Sequence, residues 1–104
     1  MLTFEVTVWT NSRPNHKTGS GFGIRIPKNI RAEIFQFEWT QVLIQTNEGE
    51  FVVPITPSFW RKCSELRSRK IGKWIIDNDL SRWEKGKPPK VSVTYHGEGV
   101  FSLA

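Results

Sequence analysis

The sequence predicts an α+β domain: a small antiparallel sheet, or a partly open pseudobarrel, with a helical segment packed on it. Three observations lead there. Apolar residues recur at every second position in several short runs, the pattern of strands with one buried face. Helical spacing is sustained only between residues 57 and 83, and the resulting order of strand, strand, short helix, hairpin, helical segment and hairpin suits a sheet with helices on one side. The 104 residues also contain no internal repeat, linker or low-complexity tract, so residues 1–104 read as a single domain around one core.

Taken in order, Leu2, Phe4, Val6 and Val8 alternate with Thr3, Glu5, Thr7 and Trp9, which predicts a first strand. Residues 10–21 hold almost nothing apolar and many turn formers, the composition of a long exposed loop. Phe22, Ile24 and Ile26 alternate up to Pro27, which lacks the N–H that a ladder needs. Residues 28–35 then place Ile30, Ile34 and Phe35 at helical spacing behind a proline suited to a first turn, so a short helix is expected. Residues 39–46 and 50–55 are two β-rich runs joined by Asn47-Glu48-Gly49, a hairpin connection.

Thr56-Pro57-Ser58 reads as a helix start with a hydroxyl cap, followed by Phe59, Cys63 and Leu66 at i, i+4 and i+7 as a buried stripe. On such a continuous helix, Lys62, Glu65, Arg69 and Lys73 form a second, mostly basic stripe. Gly72 predicts a break near that point, with Trp74, Ile75, Leu80 and Trp83 in a further short helical stretch and Asp77-Asn78-Asp79 as a helix-ending turn. Beyond the stiff Lys87-Pro88-Pro89-Lys90 segment, Val91, Val93 and Tyr95 alternate into a strand. His96-Gly97-Glu98-Gly99 turns that strand toward a hairpin partner at residues 100–103.

Composition narrows the function classes. A single cysteine, Cys63, excludes an internal disulfide framework and a zinc site built on paired cysteines, and fits a reducing, cytoplasmic compartment. Neither His16 nor His96 has further ligands at metal spacing, so neither a metal nor a cofactor is expected. The glycines of Gly19-Ser20-Gly21-Phe22-Gly23 lead into a strand rather than a helix, which argues against a phosphate cradle. Met1-Leu2-Thr3-Phe4-Glu5 lacks the basic-then-apolar layout of a signal peptide, and no apolar run reaches the roughly 18 residues of a membrane span. No set of titratable groups stands at catalytic spacing, so the chain is not expected to be an enzyme.

The formal net charge is +5, and its distribution is uneven. Residues 1–60 balance five bases against five acids, whereas residues 61–90 carry ten bases against four acids, a net of +6. Such a regional excess is the electrostatic footprint of a surface for an anionic partner. Arg25, Lys28 and Arg31, joined by Arg61, Lys62, Arg69, Lys70 and Lys73, are the candidate phosphate contacts, with Arg25 or Arg31 best suited to reach a base edge. The same charges serve equally as a solvated face that keeps the chain in solution. Trp9 and Trp60 are the candidate aromatic contacts, although tryptophans more commonly pack inside, as Trp39, Trp74 and Trp83 are expected to do.

One longer pattern carries a resemblance. Gly23-Ile24-Arg25-Ile26-Pro27-Lys28-Asn29-Ile30-Arg31-Ala32-Glu33-Ile34, followed by Val42-Leu43-Ile44, an acid-glycine turn and Phe51-Val52-Val53-Pro54, resembles the strand, Ile-Pro-Lys, Ile-Arg helix and hairpin of AbrB/MazE-like swapped-hairpin DNA-binding domains. The pseudobarrel of that family is related to the B3 domains. The resemblance covers residues 21–55 and implies a strand-rich pseudobarrel, DNA binding and, by analogy with the swapped-hairpin proteins, a homodimer. Arg31 stands at the family's basic position after Ile30. Phe37-Glu38-Trp39 departs from the family's Gly-Asp before the second strand, and neither the residues before 21 nor those after 57 have a counterpart in the minimal domain. The expectation is therefore a regulator-type module that binds nucleic acid, DNA in preference, through a basic surface. The alternative is a non-enzymatic protein-interaction module whose acidic partner meets a basic rim around Trp9 and Trp60.

Overall fold

The structure, a computed structural model, describes residues 2–104, so Met1 of the amino-terminal pattern lies outside the described residues. In chain order the elements are β1 (Leu2–Thr10), β2 (Phe22–Arg25), α1 (Lys28–Ile34), β3 (Gln41–Thr46), β4 (Gly49–Pro54), α2 (Pro57–Arg61), β5 (Glu65–Arg67), α3 (Arg69–Asp77), β6 (Lys90–Gly97) and β7 (Val100–Leu103). The strands join in one sheet in the order β4-β3-β7-β6-β1-β2-β5. All pairings are antiparallel except β3 with β7, which run parallel. The outermost strands, β4 and β5, approach each other, so the sheet nearly closes into a barrel. The molecule is thus an α+β domain of the partly open pseudobarrel kind, with its helices packed on the sheet.

Strand alternation fills the interior. Val6 and Val8 from β1, Phe22 and Ile24 from β2, Val42 and Ile44 from β3, Val53 from β4, Leu66 from β5, Val91 and Val93 from β6, and Phe101 and Leu103 from β7 are all buried. Ile30 and Ile34 of α1, Phe59 of α2, and Ile71, Trp74 and Ile75 of α3 complete the core. Phe35 sits at the centre of its aromatic part, with ring centroids 4.9 Å from Phe59 and 5.2 Å from Phe101. Rings at these separations add to the area they bury, since edge-to-face and offset contacts are favourable beyond burial alone.

The segment between residues 57 and 77 differs from the expected helix. The helical turn of α2 stops at Arg61, where Lys62 takes φ −124° and ψ −95°. Ser64 then bonds twice with the end of β2: its carbonyl accepts from the Ile26 amide at 2.8 Å, and its hydroxyl donates to the Ile26 carbonyl. This brings Glu65, Leu66 and Arg67 alongside β2 as a strand, with Ile24 opposite Leu66. Leu66 therefore reaches the core from a sheet, and Cys63, expected on a buried stripe, is exposed. The basic stripe of Lys62, Glu65, Arg69 and Lys73 does not form, because its members lie on different elements and Glu65 is buried. Thr56 does not cap α2; its hydroxyl meets that of Ser58 at 2.9 Å.

Gly72 is not a break either. It sits in the middle of α3, buried against Gly19, and a Cβ on Gly72 would collide with the Gly19 carbonyl. Gly19, at φ +82°, has no room of its own, because its Cβ would lie 2.6 Å from the Lys73 amide nitrogen. The loop between β1 and β2 is accordingly pinned onto α3 at Gly19 instead of standing free. The expected turn at Asp77-Asn78-Asp79 is present: Asn78 caps α3, and Asp79 adopts φ +59°.

Candidate nucleic-acid interface

With Val6, Val8, Ile24 and Leu66 pointing inward, the period-2 pleat sends Thr7 and Trp9 of β1, Gly23 and Arg25 of β2, and Glu65 and Arg67 of β5 to the outer face. Register lines them up in two rows, Trp9–Gly23–Arg67 and Thr7–Arg25–Glu65. The middle position of the first row is a glycine. Arg67 can therefore lean across it, and its guanidinium carbon stands 5.4 Å from the centre of the Trp9 ring, within cation–π range. A Cβ on Gly23 would lie 3.0 Å from Arg67 Cγ and 2.5 Å from the Leu66 carbonyl, so this approach depends on the glycine. Arg67 also donates to Ser58 Oγ at 3.2 Å, which ties the face to α2.

In the second row, Arg25 Nε donates to Glu65 Oε2 at 3.0 Å. The Glu65 side chain is only 6% exposed while that of Arg25 is 51% exposed, so the arginine covers the carboxylate and keeps one side open to solvent. A carboxylate so deeply placed requires such a partner. Two cavities flank Trp9. One, of about 310 Å³, is bounded by Asn11, Ser20, Phe22, Arg67 and Arg69, and the other, of about 200 Å³, by Thr7, Arg25, Trp83 and Pro88.

The eight predicted basic residues do not form one surface. Arg25 and Arg69 flank Trp9 as described. Arg31 is turned inward between α1 and α2, where its Nη1 donates to the Phe59 carbonyl at 2.7 Å and its guanidinium lies 5.8 Å from the Trp60 ring. Arg61 lines a separate apolar groove with Phe37 and Trp60. Lys70 and Lys73 face the tip of the β3–β4 hairpin across a cleft that they share with Glu48 and Glu50, and Lys73 Nζ is 3.3 Å from Asp77 Oδ1. In that corner desolvation first, and then a hydrogen bond and like-charge repulsion with Asp77, hold the Glu48 carboxyl above its ordinary range. Lys28 and Lys62 are exposed, with no carboxylate within 4 Å among the described residues. Trp9 and Trp60 are both half-buried, each with an arginine against its ring.

Arg67 is the functional candidate that sequence reasoning missed. It counted toward the regional excess of bases but was not singled out. Its signal is the alternation of Glu65, Leu66 and Arg67, which becomes readable only once those residues are taken as a strand. Among the described residues no cluster of His, Cys, Asp and Glu could hold a metal ion, and no helix is long and apolar enough to cross a membrane. Comparisons with protein-family models, curated proteins and solved structures find no match.

Proposed function

We propose that the chain is a nucleic-acid-binding module, with DNA the favoured ligand, acting through the outer face of β1, β2 and β5. The observation that carries this reading is the placement of Trp9 under Arg67 with Arg25 and Arg69 beside it. An aromatic plane is thereby held among cations, two of which, Arg67 and Arg69, have no carboxylate within 4 Å among the described residues. Arginines in such an arrangement neutralise phosphates and release counterions, while the indole offers a face for a base. Arg25, held by Glu65, serves as a fixed rather than a mobile donor, as a bidentate contact with a guanine edge would need.

The order β2, α1, β3, β4 supports the finer reading of an AbrB/MazE-like or B3-like pseudobarrel, and with it a homodimeric regulator. A cytoplasmic setting belongs to the same reading, since Cys63 is free and exposed. No reaction is assigned to the chain, whose role in this reading is binding alone.

Fluorescence anisotropy with labelled duplex and single-stranded DNA tests the proposal. Raising salt from about 50 to about 200 mM should weaken binding by about 10²-fold if roughly four phosphates are contacted. The double substitution Arg67→Ala and Arg69→Ala should leave the far-UV circular dichroism unchanged and lower the salt slope by about two. Equal affinity of that variant and the parent protein would exclude this face as the interface.

A further inference from the structure

We propose that a second site, the groove between the loop before β3 and α2, docks an acidic peptide segment through an apolar anchor side chain. The groove, of about 260 Å³, is walled by Phe37, Trp39, Ile55, Pro57 and Trp60, with Arg61 at its edge. The groove is predominantly apolar, and it contains the most exposed large hydrophobic side chain of the described residues, Phe37 at 77%.

Phe37 is not a loose end. Its ring lies 5.4 Å from that of Trp60, which stands edge-on to the buried Phe59 at the same separation, so an exposed aromatic pair is braced on the core. The loop beneath is closed by a hydrogen bond from the Trp39 amide to the Gln36 carbonyl at 3.0 Å. Trp39 is held in turn by the Phe35 ring at 5.7 Å. A preformed apolar groove with fixed aromatic walls has the form that accepts one or two anchoring side chains at small ordering cost.

Charge selects the occupant. Arg61 and the adjacent Lys62 are exposed and have no carboxylate within 4 Å among the described residues, and the guanidinium of Arg31 lies against the Trp60 ring. Glu38, between Phe37 and Trp39 in the chain, does not line the groove. A second copy seated symmetrically on this groove would set Arg61 and Lys62 against the same two cations, and a nucleic-acid backbone has no apolar side chain to insert. A peptide with an aromatic or aliphatic anchor flanked by Asp or Glu satisfies both the walls and the rim. The site uses neither Trp9 nor Arg67, so it stands or falls apart from DNA binding.

A random peptide library displayed on phage, selected on the full chain, provides the test. Enriched sequences should share an apolar anchor beside acidic residues. The most enriched peptide, synthesised and labelled, should lose about tenfold or more in affinity for the Phe37→Ser and Arg61→Glu proteins, and should bind the Arg67→Ala protein as it binds the parent. Both substituted side chains are exposed, so the fold is retained, as circular dichroism would verify. Exchanging the peptide's acids for lysine should abolish binding. The proposal is overturned if nothing is enriched, if the enriched peptides lack acids, or if Phe37→Ser binds them unchanged.

Discussion

Gly72 and Gly19 meet where a side chain on either would enter the other's backbone. Replacement of Gly72 by alanine is the smallest change that tests this contact. In an exposed helix interior the exchange would favour the folded state by about 1 kcal/mol through propensity. Here the added methyl must separate α3 from the loop, and overpacking of this kind costs about 1–3 kcal/mol. The expected outcome is a net loss of stability, read as a lower midpoint in urea denaturation; a gain would show that the two segments are not in contact. Gly72 also illustrates a limit of local reading. A glycine that interrupts a helix and one that admits a neighbour into it look the same in sequence, and only the position of Gly19 distinguishes them. Trp9, by contrast, was readable as an outward residue from alternation alone, whereas its partner Arg67 depended on strand neighbours far apart in the chain.

At the level of elements, the stretch from α2 to α3 is where local preference lost to sheet pairing. Phe59, Cys63 and Leu66 are spaced for a helix, yet Leu66 is drawn out of that pattern because β2 offers it both backbone partners and the Ile24 side of the core. Strands with clear alternation, β1 and β6 among them, follow the expected pattern, as does the β3–β4 hairpin. Returning to helix after β5 requires a fresh start, which Ser68 supplies: in extended conformation, it accepts from the Lys70 amide at 3.1 Å through its hydroxyl. Ser68→Ala should therefore destabilise the protein by about 0.5–2 kcal/mol in a denaturant titration. Arg69 opens that helix and lines the larger Trp9 cavity, so under the proposed function the same variant should also weaken DNA binding; Ser68→Asn, which keeps a capping oxygen, should restore both. Loss of stability without recovery in the asparagine variant would assign Ser68 a role other than capping.

For the molecule as a whole, the uneven charge seen in sequence is divided by the fold. Of the bases in residues 61–90, Arg67 and Arg69 go to the Trp9 face, Arg61 to the apolar groove, and Lys70 and Lys73 to the acidic hairpin tip. No count of charges along a chain reveals that division, because it follows from which strands become neighbours. The topology also sets a rate. β1 pairs along its length with β6, Leu2 lying opposite Tyr95, and β3 pairs with β7, Leu43 lying opposite Val100, so much of the sheet joins segments distant in sequence. Domains dominated by such pairings fold in about milliseconds to seconds, and stopped-flow refolding by tryptophan fluorescence should fall in that range. A microsecond relaxation would contradict this sheet order.

The pairing of β1 with β6 has a further consequence while the chain is being synthesised. The β3–β4 hairpin can zip up as soon as it emerges from the ribosome, but β1 gains its second neighbour only after residue 90 has been added. At about 5–20 residues per second, several seconds pass with an extended ribbon bearing Leu2, Phe4, Val6 and Val8 open along one side. Nascent-chain chaperones would therefore be needed most during that interval, at the earliest-made strand of the domain.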